Sequence, residues 1–243
     1  MKTILKSFIY SFYFARLSLK NYLPLIMYLV ISQFIIMVTQ NNFLALVFFM
    51  CYLIASAPVA LNVFRNILAD EDIINSYSYF ISKSYSKLFI KKIMYLAGSM
   101  FLIYIAHLIV LSPFLPLPTS QELTKADIQK IIPYIYVLMM YMIYIYTRIV
   151  FILPAASNNI SKSLKDSYML TKGISIKVYL MFVSVLVPYL LIELAIHNYT
   201  DKNYEFIFVF ISILMLVFFT IISSALIAYI YKDFYKKPKD VIE

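Results

Sequence analysis

Residues 141–173, YMIYIYTRIVFILPAASNNISKSLKDSYMLTKG, hold the pattern that decides the fold. The run up to Pro154 is apolar with a single charge, Arg148, whereas the remainder is rich in lysine and ends in Gly173. Another long apolar run begins at Val178. Because about 20 apolar residues are enough for a transmembrane helix, this order predicts a chain that leaves a bilayer, lies on its surface and enters it again.

The composition supports the same interpretation for the whole chain. Of 243 residues, 63% are hydrophobic and 14% are charged, and the mean hydropathy is +0.84; soluble domains average about 45–50% apolar and about 25% charged residues. We therefore predict an all-α membrane protein with six transmembrane helices. The predicted spans are residues 22–39, 43–64, 93–115, 132–153, 178–196 and 206–231.

Lysine and arginine are distributed very unevenly between the two sets of loops that six spans create. Eighteen of the 21 fall in residues 1–21, 65–92, 148–177 and 232–243, and the other three are Lys125, Lys130 and Lys202. Basic loops stay on the cytoplasmic side during insertion, so both termini are expected there. The net charge of +9 then predicts a basic cytoplasmic face that meets anionic lipid head groups, and no nucleic-acid partner.

Three segments on the basic side are expected to form amphipathic surface helices. Residues 1–21 lack the clean apolar core of a signal peptide and are expected to remain as an N-terminal helix with an apolar stripe at Ile4, Leu5, Phe8, Ile9, Phe12 and Leu19. Residues 70–92 and 160–173 are the other two, and residues 232–243 form a basic tail. In the third helix Ile160, Leu164 and Tyr168 share one face, and Gly173 suits a left-handed position after its end.

The residues Arg148, Leu153, Pro154, Ala155, Ser167, Leu170, Thr171 and Gly173 form a recognisable pattern. This pattern resembles a signature of poorly characterised bacterial multi-pass inner-membrane proteins, which also occurs in the membrane domain of some glycerophosphodiester phosphodiesterases. Asn158 and Asn159 stand where that family commonly has an acidic residue, and Tyr168 replaces its usual Trp. The catalytic barrel has no counterpart here, so the resemblance implies a membrane domain without that activity.

Few polar residues fall inside the predicted spans. Glu193 and His107 lie at similar depths in outward-running spans, and His197 is one helical turn beyond Glu193. Two interpretations remain open: a titratable contact between Glu193 and His107, or a glutamate that reaches outer water beside a histidine that donates to a backbone carbonyl. With two histidines and one cysteine in the chain, no metal or cofactor site is expected.

Arg65 and Arg148 each lie near the cytoplasmic end of a predicted span and precede a surface segment. This recurrence is consistent with an internal duplication or with shared loop chemistry alone. Either arginine could hold a lipid phosphate or pair with an acidic residue, Asp70 and Asp166 being the candidates for Arg148. The alternative is ordinary extension of a long basic side chain toward water.

Small residues recur in three predicted spans and are expected to pack helices closely. They are Ala55, Ser56, Ala57 and Ala60; Ala97, Gly98 and Ser99; and Ser223, Ser224 and Ala225.

The leading functional hypothesis is a non-enzymatic inner-membrane protein that organises or regulates lipids or partner proteins through its basic face. The alternative is a small transporter with a polar site near Glu193 and His107. A homo-oligomer is compatible with both. A lipid-modifying enzyme is disfavoured, because it would need several carboxylates, histidines or a nucleophile at one depth.

Overall fold

The structure, a computed structural model, describes residues 2–18, 22–39, 42–72, 83–111, 125–199 and 205–235. These parts of the chain form nine helices and no strand. The helices are α1 (Lys2–Ser18), α2 (Leu23–Thr39), α3 (Asn42–Ala69), α4 (Ser84–Leu111), α5 (Lys125–Ile149), α6 (Ile152–Ser157), α7 (Leu164–Leu170), α8 (Ser175–Tyr199) and α9 (Glu205–Tyr235).

Five segments of the described residues are long and apolar enough to cross a membrane: Cys51–Ala69, Ser84–Val110, Tyr136–Ser157, Ser175–Ile192 and Phe210–Phe234. The chain is therefore a multi-pass α-helical membrane protein, and these segments match five of the predicted spans. The first predicted span, residues 22–39, coincides with α2, whose 17 residues extend about 25 Å at 1.5 Å per residue.

Helix α9 lies at the centre of the bundle. It packs against α1, α2, α3 and α8, and its second half is buried at Ala225, Leu226, Ile227, Ala228 and Ile230. Helix α2 runs antiparallel to α3, because Tyr22 bonds to Asn62 and Tyr28 bonds to the carbonyl of Phe48. Helices α4 and α5 are peripheral, and apolar side chains in the second half of α4 and the first half of α5 are exposed.

Helix α1 packs along α9 with a face that the sequence pattern does not predict. Its buried residues are Ser7, Tyr10, Ser11 and Phe14, whereas Leu5, Ile9 and Phe12 of the expected apolar stripe are exposed. The Ser7 and Ser11 hydroxyls donate to carbonyls one turn earlier in α1, so this face is compact and can approach a neighbouring helix closely. Leu5 and Ile9 are thus left on the outside of the bundle, and Phe12 lies beside α9 with its ring 5.0 Å from that of Phe218.

The two other segments that were expected to form surface helices have helix boundaries that differ from the prediction. Helix α4 begins at Ser84 and continues to Leu111, so the lysine-rich segment from residue 84 onward is the start of a spanning helix; residues 73–82 lie outside the described residues. Helix α7 begins only at Leu164. Ile160 shares no helical face with Tyr168, because residues 160–163 are not helical.

Candidate functional site

Four basic side chains join helix ends and loops at one end of the bundle, called the basic end. Each donates to a backbone carbonyl of another segment. The pairs are Arg65 Nη1 to Ser157 O (3.0 Å), Lys92 Nζ to Lys162 O (2.7 Å), Arg148 Nη2 to Tyr168 O (3.0 Å) and Lys232 Nζ to Ile67 O (2.9 Å). Hydrogen bonds with a charged donor are about twice as strong as neutral ones, so these contacts hold the loops against the bundle.

Arg148 lies in the last turn of α5 and is 5% exposed. Its guanidinium carbon is 3.8 Å from the centroid of the Tyr168 ring, and Nη2 donates to the Tyr168 carbonyl at 3.0 Å. The buried Nε has no hydrogen-bond partner in the structure. Arg148 therefore presents a buried cation that is stabilised by a ring and a carbonyl, with its Nε–H donor unpaired.

The segment that carries Tyr168 is fixed by its own local chemistry. Ser163 and Asp166 form a capping box at the start of α7, which satisfies two N–H groups at the helix start. Hydrogen bonds from the Ser163 N–H and the Ser163 hydroxyl to the Asp166 carboxylate lower the pKa of Asp166 below its ordinary value. After the helix, Gly173 adopts a φ of +87°, which glycine tolerates best. Thr171 is the C-cap of α7, so Gly173 lies one residue later than predicted.

The residues of the family resemblance fall in the buried helix α6 and in the segment that bonds to Arg148. Leu153, Pro154 and Ala155 belong to the buried helix α6. The buried Ser167 donates to the Arg148 carbonyl at 3.1 Å. Thr171, also buried, donates to the Tyr168 carbonyl at 2.9 Å. Each of these residues thus has a packing or hydrogen-bonding reason for its identity, whatever the family.

Arg65 has a different set of partners from Arg148. Its Nε donates to Glu71 Oε2 at 2.8 Å, and Nη2 contacts Oε1 of the same carboxylate. The guanidinium carbon lies 4.6 Å from the centroid of the Tyr85 ring. Asp70 instead lies 3.4 Å from Lys232.

Neither of the two carboxylates that the sequence suggested for Arg148, Asp70 and Asp166, therefore pairs with it. Asp166 caps its own helix, and in the described parts of the chain no carboxylate pairs with Arg148. The stacking partners Tyr85 and Tyr168 carry no signal in the sequence, because the fold alone sets which ring lies under a guanidinium.

His107 bonds within its own helix. Its Nδ1 is 2.7 Å from the carbonyl of Ile103, and its ring lies 4.7 Å from that of Tyr141 in α5. The backbones of Glu193 and His197 belong to α8, but the structure does not describe their side chains. The contact between Glu193 and His107 therefore stays a prediction.

A cavity of about 750 Å³ opens between α3, α4, α5 and α9. Six of the small residues expected to pack helices line it instead: Ser56, Ala60, Ala97, Gly98, Ser223 and Ser224. A Cβ atom added to Gly98 would meet nothing within 4 Å. At these six positions the small side chains line open space between the helices.

In the described residues no group of three or more His, Cys, Asp or Glu side chains could hold a metal ion. The fold and this site define the chain as a multi-pass helical membrane protein with a capped, basic end. No protein-family model, curated protein or solved structure matches the chain. The resemblance to the phosphodiesterase membrane domains therefore stays a prediction.

Proposed function

We propose that this chain is a non-enzymatic bacterial inner-membrane protein that binds and organises anionic lipids through its basic end, which faces the cytoplasm. The observation that carries the proposal is a group of exposed lysines gathered at that end from three segments of the chain: Lys87, Lys91, Lys165, Lys172 and Lys177. Each basic residue near an anionic membrane surface contributes about 1 kcal/mol of attraction.

Six spans with both termini in the cytoplasm form the topology of this proposal. Thr3 Oγ1 donates to Asp233 Oδ2 at 3.3 Å, so the start of α1 and the end of α9 lie at the same end of the bundle, which supports an even number of crossings. In this topology helix α2 is the sixth crossing, since it returns alongside α3 from Tyr22 toward Thr39. Its length of about 25 Å suits a bilayer core of about 30 Å that adapts to a short helix.

Lipid selectivity in reconstituted vesicles tests the proposal. We expect spin-labelled phosphatidylglycerol to associate with the protein more strongly than spin-labelled phosphatidylcholine. Replacing the five exposed lysines by glutamine should remove most of this preference, since roughly 1 kcal/mol per lysine corresponds to about a fivefold change in association.

The matched control replaces the same five lysines by arginine, which keeps the charge at each position and should keep the preference. An unchanged preference in the glutamine variant would show that the basic end does not select anionic lipids. Cysteines placed singly at positions 2 and 233, with Cys51 replaced by alanine, test the topology. A membrane-impermeant reagent added to the periplasmic side should label neither position.

A further inference from the structure

The cavity between α3, α4, α5 and α9 presents a hydrocarbon surface even where its lining residues carry hydroxyls. Three of these hydroxyls turn back to carbonyls of their own helices: Ser56 to Leu53 (3.2 Å), Thr220 to Leu216 (2.9 Å) and Ser223 to Thr220 (3.1 Å). A hydroxyl that is satisfied in this way offers little to a polar ligand. An apolar occupant therefore fits the cavity better than a polar solute.

The cavity is open toward the lipid that surrounds the bundle. Phe101 and Tyr104 of α4 line it and are themselves 53% and 41% exposed. A lipid chain can thus reach the cavity sideways without passing through water. Its volume of about 750 Å³ lies within the range of about 300–1,000 Å³ that is usual for ligand pockets.

A lysine lies at the cavity's basic end. Ile93, Leu96 and Met100 of α4 line the cavity, and Lys92 falls one helical turn before Leu96 on the same side. Lys92 Nζ bonds to the carbonyl of Lys162 at 2.7 Å. An ammonium group has three donors, so Lys92 retains N–H groups for an anionic ligand. The site therefore pairs an apolar cavity with a cation at one end.

We propose that the cavity binds an acyl chain of an anionic phospholipid whose head group lies at Lys92. The proposal rests on the proposed function, since it names one specific site for the lipids that the basic end attracts. The phosphate meets the ammonium group of Lys92, and the acyl chain extends along α4 past Ala97 and Gly98, where the small side chains leave room for it.

A single tryptophan tests this site, because the chain contains none. Met100→Trp places the fluorophore in the cavity. Leu102→Trp is the control on the same helix, because Leu102 does not line the cavity and is 69% exposed. In vesicles that contain either brominated phosphatidylglycerol or brominated phosphatidylcholine at equal mole fraction, we expect stronger quenching by phosphatidylglycerol at position 100. At position 102 the two lipids should quench equally.

Two further substitutions in the Met100→Trp background distinguish binding of the acyl chain from binding of the lipid head group. Gly98→Leu fills open space in the cavity and should reduce quenching by both lipids. Lys92→Gln keeps a donor for the Lys162 carbonyl but removes the charge, and it should reduce the preference for phosphatidylglycerol about fivefold. Lys172→Gln removes one exposed charge away from α4 and should leave the preference at position 100 unchanged.

Equal quenching by the two lipids at position 100, or no effect of Gly98→Leu, would overturn this inference. The proposed function would survive that result if the five-lysine glutamine variant still lost its preference for phosphatidylglycerol in the spin-label measurement. If that variant instead kept its preference, the proposed function itself would be overturned.

Discussion

Arg65 and Arg148 occupy equivalent places at the ends of α3 and α5, yet their charges are balanced in different ways. Both guanidinium groups lie over a tyrosine ring and donate to a distant carbonyl. Arg65 also holds the Glu71 carboxylate at two points. Arg148 is more deeply buried and has no such carboxylate among the described residues.

The difference shows that a similar position along a spanning helix does not fix the electrostatic role of an arginine. The Arg65–Glu71 pair is neutral, and it ties α3 to the loop that follows it. Arg148 is buried without such a carboxylate, and the Tyr168 ring and the Tyr168 carbonyl are the groups that stabilise its guanidinium. Its buried Nε has no hydrogen-bond partner among the described residues.

The largest expected effect separates the two arginines directly. Arg148→Met should lower the free energy of unfolding by about 3 kcal/mol, because a charged hydrogen bond and a buried cation–π contact are both lost. Arg65→Met should cost about 1–2 kcal/mol, since its partner Glu71 is partly exposed and can turn to water. Unfolding in detergent, followed by circular dichroism, measures both; a larger loss for Arg65→Met would contradict the comparison.

The turn after α7 gives the next effect. Gly173→Ala should destabilise the protein by about 1–2 kcal/mol, because a side chain at a left-handed φ is strained, and the strain falls on the segment that carries Tyr168. Gly98→Ala is the matched control, since that glycine is helical with open space beside it. It should stabilise the protein by about 0.5–1 kcal/mol. Equal effects at the two glycines would show that the left-handed turn is unimportant.

Neutralising Glu71 should make the charge environment of Arg65 more similar to that of Arg148. Glu71→Gln removes the charge that balances Arg65 and should cost about 1 kcal/mol, a figure kept small by the partial exposure of this ion pair. The same variant should bind phosphatidylglycerol more strongly, because Arg65 then carries a free charge. Unfolding and the spin-label measurement test the two statements separately, and weaker lipid binding would count against a role for these arginines.

The smallest effect is that of Asp166. Hydrogen bonds from Ser163 lower its pKa in the folded state, so the ionised form stabilises folding at pH values above the unfolded pKa of 3.8. This contribution is lost as the pH falls through the lower folded pKa. Asp166→Asn should flatten the dependence of stability on pH in that acidic window. A profile identical to that of the parent protein would show that the carboxylate cap is dispensable.

Hydropathy alone predicts the spanning helices, because their apolar composition does not depend on which helix lies beside which. The expected break between a surface helix and the span at residue 92 is absent, since α4 runs from Ser84 to Leu111 and its two parts share one helical period. The sequence does single out Arg148. It cannot supply the Tyr168 carbonyl as its acceptor, because every residue carries a carbonyl and only folding selects one.

The small residues illustrate the same limit on a larger scale. Ser56, Gly98 and Ser223 indicate helix surfaces without bulk, which is compatible with a tight contact or with a gap. The distance between α3, α4 and α9 decides between them, and bulky residues such as Phe64 and Leu153 also line the cavity that results. No local pattern in the sequence encodes it.

The contact of Thr3 with Asp233 has a consequence for biogenesis. Helix α1 leaves the ribosome well before its docking partner α9, which begins at Glu205. At about 5–20 residues per second, α1 waits roughly 10–40 seconds, and its exposed leucine, isoleucine and phenylalanine side chains can rest in the membrane surface meanwhile. Docking of α1 therefore follows the synthesis of α9, and a nascent chain arrested before α9 should leave α1 open to protease.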